Sequence, residues 1–204
     1  MFIEGLFQNP AGWLCTCGII VFSICCHEYM HARVALWEGD STAADAGHLT
    51  LNPLKQMGWG SLGMLALIGL AWGCVPVNPS RFRHSWGAEA VALAGPMTNL
   101  LLWLICIQLT NLGLASHVPM FFCNALLQAA VINLLLALLN LCPIPGLDGA
   151  TVFQRILPAR MKTGNLNLLL ILLLLVGGSY LFRAAEWLTF LLVRLPSHAF
   201  LSVQ

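Results

Sequence analysis

Charge is what this chain has least of. Only 8% of its 204 residues are Asp, Glu, Lys or Arg, where a soluble domain carries about 25%. The nine Lys and Arg are scattered among connecting stretches. No basic stripe or aromatic-interleaved patch follows from them, and the composition argues against nucleic acid as a partner. Internal repeats and low-complexity linkers are also missing, and no stretch is long enough to house a separate soluble domain. No Lys or Arg precedes Arg33 and no small-residue cleavage site follows, so the apolar N-terminus does not read as a removable signal peptide and is expected to persist. Cysteine is present eight times, but Cys15, Cys17, Cys25, Cys26, Cys106 and Cys123 lie within apolar runs, where Cys acts as a small hydrophobe. No disulfide framework is expected, and the Cys25-Cys26 pair lacks the usual spacing of zinc ligands.

What the chain has in abundance is apolar sequence, 59% of it. Several runs approach or exceed the roughly 20 residues needed to cross a bilayer core. Residues 11–37 form the first, and 87–112 and 119–142 form two more, joined by a loop around Ser116 and His117 too short for anything but antiparallel neighbours. Residues 165–182 are leucine-rich and read as a lipid-facing anchor, while 183–204 stay unassigned. The segment 61–77 is short and interrupted by Gly63, Gly69 and Gly73, ends at Pro76 and Pro79, and is expected to dip in and return. The expected fold is an all-α polytopic membrane protein. It has about four transmembrane helices, a short re-entrant or interfacial segment and a small β-like element. The whole of 1–204 reads as one membrane-embedded domain, with a core at 11–155 and a C-terminal anchor at 165–195.

Within the first run, His27-Glu28-Tyr29-Met30-His31 matches H-E-x-x-H. On a helix the two imidazoles stand about 40° apart around the axis and about 6 Å along it, so both reach one zinc ion. Glu28 lies on the flank of that face, where a carboxylate meets water rather than metal, as a general base does. With so few His and Glu in the chain, a chance match has a probability on the order of a few per thousand. Interhelical hydrogen bonding is the plain alternative, but ionisable groups at membrane depth are costly and mark functional sites. A catalytic zinc takes three protein ligands, so a third must come from elsewhere. Glu4, Glu38, Asp40, Asp45, Glu89 and Glu186 lie near span ends or in connecting segments. Asp148 instead follows Pro143-Ile-Pro145-Gly146-Leu147. Alone it would read as an Asp-Gly turn. Its prolines and glycines keep the backbone irregular at membrane depth, which is tolerated where protein or a wet cavity surrounds it.

HEYMH, then Ala94-Gly95-Pro96-Met97-Thr98-Asn99, then Asn140-Leu-Cys-Pro-Ile-Pro-Gly-Leu-Asp148-Gly149, in that order, resemble the site-2 protease family of intramembrane zinc metalloproteases. The likeness also takes in Gly47–Pro53 and Pro76–Pro79, and is greatest to the short bacterial type without a PDZ domain. The resemblance implies one Zn2+ per chain on His27, His31 and Asp148, with Glu28 activating water. It implies that Asn140, and more weakly Asn99, position substrate or stabilise an oxyanion. It also implies single-pass membrane-protein substrates cleaved in regulated intramembrane proteolysis, the bilayer as surroundings, and a regulatory membrane partner or homo-oligomer. His48 departs from the Arg often found there, and Met57–Gly60 lacks the usual acidic-proline turn.

Topology supplies a separate expectation. His27 and Asp148 meet only if the first and fourth apolar segments run parallel, which requires 61–77 not to cross. The same path puts Arg33, Lys55, Arg81, Arg83, Arg155, Arg160 and Lys162 on one side, cytoplasmic by the positive-inside rule, in a bacterial cytoplasmic membrane with the site nearer that face. Residues Gly47, His48, Leu49, Thr50, Leu51 and Asn52 alternate loosely in polarity and are expected to offer a strand edge to an unwound substrate. A metal transporter, an inactive scaffold and the proteases that trim prenylated proteins are the competing readings. The first needs no general base, and the last lack the Pro-x-Pro-x-Leu-Asp-Gly segment.

Overall fold

The computed structural model describes residues 2–156 and 164–193, the latter stretch with side chains from 178 onward. Arg160, Lys162, the residues after 193 and the side chains of much of the expected anchor lie outside the described residues. All regular structure described is helical. A short α1 (Glu4–Gln8) precedes α2 (Pro10–Trp37), which begins where the Asn9 side chain accepts the Gly12 N–H at 3.0 Å and Pro10 fills the first turn. The helices α6 (Gly87–Ala115) and α7 (Met120–Asn140) form the expected hairpin. These three are long and apolar enough to cross a membrane. Leu101, Leu104, Ile105 and Leu109 of α6 are left exposed, as a lipid-facing side should be. The inner faces carry Ala32, Ala35, Ala92, Ala94, Ala130 and Ala137, small residues that let backbones approach where lipid offers no hydrophobic drive.

Three candidate spans replace the expected four among the described residues. The leucine-rich run enters α9 (Gly164–Leu192), which packs against α7 through Ala185, Val131 and Leu134. All eight cysteines are free.

The relative direction of the helices is readable from their polar contacts. Gln128 donates to Thr16 at 2.8 Å and Asn133 donates to Ser23 at 2.9 Å, so α2 and α7 run parallel. Antiparallel to both, α6 sets residue 99 beside 27 and residue 91 beside 31. Everything between Trp37 and Gly87 therefore returns to the end it left. That return contains α3 (Thr42–Asp45), α4 (Pro53–Gln56) and α5 (Gly58–Ile68). At 11 residues α5 is about 16 Å long, half of the roughly 30 Å core, and Gly69 closes it with φ 79°. Residues 70–78 then run without regular structure to a 3-10 turn at Pro79–Arg81.

The β-like element expected at 47–52 does not form. The buried Gln56 amide donates to the His48 carbonyl at 2.8 Å and the Thr50 carbonyl at 2.6 Å, which holds these residues as a loop. Asn52 turns to capping α4 through the Leu54 N–H.

Candidate metal centre

Ten residues of helix, about 15 Å, separate His27 from the end of α2 at Trp37, so the motif lies well inside the span. His27, Glu28 and His31 are buried there at 6%, 8% and 7% exposure. After α7, Pro143 and Pro145 prevent further helix, and the chain folds back into α8 (Asp148–Val152), whose first residue meets the two imidazoles. The Asp148 Oδ2 atom stands 3.1 Å from His27 Nε2, Oδ1 stands 3.3 Å from His31 Nε2, and the two Nε2 atoms are 2.9 Å apart.

Hydrogen bonds at the far side of each ring decide what these atoms offer. His31 Nδ1 lies 2.6 Å from the Val91 carbonyl, which only accepts, so Nδ1 carries the proton and Nε2 keeps a lone pair. His27 Nδ1 lies 2.5 Å from Asn99 Oδ1, with the same result. Two imidazole lone pairs and a carboxylate thus converge, and Asp148 Oδ2 is buried without a hydrogen-bond partner. Such a set repels itself unless a cation sits within it. Ligands about 2.0–2.1 Å from a tetrahedral zinc ion stand roughly 3.3 Å apart, close to the spacing of this group.

Three curated proteins are similar to this chain. YwhC of Bacillus subtilis (strain 168), which carries the provisional name zinc metalloprotease, is 35% identical over 151 residues, 70% of this chain and 69% of its own length. Two Rip2 proteins of the same provisional name, from Mycolicibacterium smegmatis and Mycobacterium tuberculosis, are each 30% identical over 192 residues, 87% of this chain and 71% of their own length. The chain belongs to the site-2 protease family. No family model and no solved structure matches it. The metal of this protease is zinc, and the convergent His-His-Asp group is able to hold it.

Around the group, glycines set the room available. A Cβ built on Gly95 of α6 would overlap Nε2 of both histidines, so the bare Cα leaves open the volume between them. A Cβ on Gly73, in the 70–78 segment, would overlap the Glu28 carboxyl, and one on Gly149 would overlap the Leu141 and Cys142 carbonyls. A cavity of about 560 Å³ contains the site, lined among others by His27, Glu28, His31, Gly73, Asn140 and Asp148. Asn140 donates to the Leu136 carbonyl at 3.0 Å while facing this cavity. Asn99 is buried behind His27 and also belongs to the lining of this cavity, and its amide donates to Asn133 at 2.9 Å. Residues 47–52 do not line the cavity, whereas 70–75 do.

Sequence reasoning passed over Gly73, Gly95, Asn133 and Ser23. Gly95 lies inside the Ala94–Asn99 motif, and Asn133 is one of four amides in the apolar α7, with Asn124, Gln128 and Asn140, so its presence alone does not single it out. Nothing in the sequence marks Ser23.

Proposed function

We propose that this protease is an intramembrane enzyme, hydrolysing peptide bonds within or near transmembrane segments of single-pass membrane proteins in regulated intramembrane proteolysis. The observation that carries this is a ligand group and a free carboxylate sharing one cavity at depth in the apolar helices. His27, His31 and Asp148 hold the zinc ion. When bound, zinc supplies Lewis acidity, which polarises the scissile carbonyl and brings water within reach of deprotonation near pH 7. Glu28 takes the proton of the attacking water and hands it to the departing amine, and Asn140 faces the substrate as its positioning or oxyanion group. The bundle lies in a bacterial cytoplasmic membrane with the site nearer the cytoplasm, where Lys55, Arg81 and Arg83 collect, and α9 supplies a fourth span.

A helical substrate hides its carbonyls in its own hydrogen bonds and must unwind locally. In the 70–78 segment, Trp72 and Cys74 turn their N–H groups inward, to Ser61 Oγ at 2.8 Å and the Gln56 carbonyl at 3.0 Å. Residues 70–75 line the cavity, and this segment, rather than 47–52, offers its main chain to the unwound substrate. Co-expression with single-pass substrates tests the reading. Glu28→Gln at equal zinc occupancy should slow cleavage on the order of a hundredfold or more. Equal cleavage by both proteins would remove the assignment.

A further inference from the structure

One buried chain of amides ends on His27 and has no part in the chemistry above. Asn133 of α7 donates from Nδ2 to the Ala129 carbonyl and to Ser23 Oγ, each at 2.9 Å. Its Oδ1 accepts from Asn99 Nδ2 at 2.9 Å, and Asn99 Oδ1 faces His27 Nδ1 at 2.5 Å. All three residues besides His27 are sealed from solvent, Ser23 at 1%, Asn99 at 0% and Asn133 at 2% exposure.

We infer that Asn133 is a positioning residue that acts through Asn99 to fix the tautomer of His27. The reasoning begins at the one group whose role is beyond choice, the Ala129 carbonyl, which only accepts. Asn133 must turn its NH2 toward it and so turns its oxygen toward Asn99. That oxygen accepts, so Asn99 presents its NH2 to Asn133 and its own oxygen to His27. Facing an acceptor, His27 must carry its proton on Nδ1, which leaves the Nε2 lone pair beside Asp148. A flipped Asn99 would offer NH2 to Nδ1 and favour a proton on Nε2, the atom a metal needs bare. His31 reaches the same state directly, through the Val91 carbonyl. The difference is that the His27 tautomer is set two side chains away, across three helices.

This rests on His27 as a metal ligand, and the experiment separates the two. Zinc affinity is measured by chelator competition on the full chain in detergent, in four forms: parent, Asn133→Leu, Asn99→Asp and the double variant. A carboxylate accepts on every face, so Asn99→Asp needs no orienting partner. Asn133→Leu should weaken zinc binding about ten- to a hundredfold in the parent, and leave it unchanged in the Asn99→Asp background. An undiminished affinity of Asn133→Leu, or an equal loss in both backgrounds, overturns the inference alone. A parent chain that binds no zinc overturns the site and the inference together. Where Asn133→Leu fails to fold, nitrogen spectra of isotope-labelled histidine in the zinc-free parent decide the matter. His27 protonated on Nδ1 supports the inference, and His27 protonated on Nε2 sinks it.

Discussion

At the scale of single residues, the metal group depends as much on a missing side chain as on those present. Gly95→Ala would place a methyl where both Nε2 atoms point. A helix gains roughly 1 kcal/mol of intrinsic preference from that exchange, so a general weakening of α6 is not the expected result. The expected result is a folded protein whose zinc content, read by elemental analysis after purification, falls well below one per chain; parent-like zinc content would contradict it. The histidines and Glu28 were legible because spacing on a helix is a strong constraint, and Asp148 because its proline-rich company was odd. Gly95 was not, since the closeness of two helices is a property of their packing and leaves no trace in local sequence. The placement of Asn99 was hidden for the same reason, because an amide in an apolar helix does not disclose which neighbour it faces.

Among elements, the five-residue α8 has the most demanding task, since it carries Asp148 and cannot hold itself in place by length. Gly149 lies against the Leu141 and Cys142 carbonyls, and Arg155 reaches from beyond α8 to Glu89 and the Ser85 carbonyl. The first contact is backbone on backbone and cannot yield, while the second uses a half-exposed Arg whose ion pair contributes at most about 1 kcal/mol. Gly149→Ala should therefore lower zinc affinity more than Arg155→Ala, and the reverse order in chelator competition would show that the ion pair, not the close approach, anchors α8. At the other end of the site, Asp40, just beyond α2, fastens the 70–78 segment and the 3-10 turn after it. Burial pushes its carboxyl up, but the N–H groups of Asn78 and Thr42, the Thr42 hydroxyl and Arg81 together hold it below the ordinary range. A lowered folded pKa contributes stability above the unfolded value of about 3.9, and that contribution fades as pH falls through the folded one. Thermal denaturation in detergent should show an acid-side loss in the parent that Asp40→Asn lacks; matching acid profiles would discount the tether.

For the molecule as a whole, the parallel run of α2 and α7 was legible as a requirement: His27 and Asp148 could meet in no other way. The path that meets it was less so. The apolar stretch 61–77 splits into a helix and an extended strap because Gly69 ends the one and Ser61 binds both N–H and carbonyl of Trp72 in the other. Cysteines introduced at Lys55 and Ser116, in a background free of native cysteine, should label from opposite membrane faces. Labelling of both from one face would break the parallel arrangement.

That arrangement also orders events in time. The two imidazoles of α2 leave the ribosome well before the carboxylate that follows α7, so a nascent chain holds an incomplete ligand set until α6 and α7 have both been made.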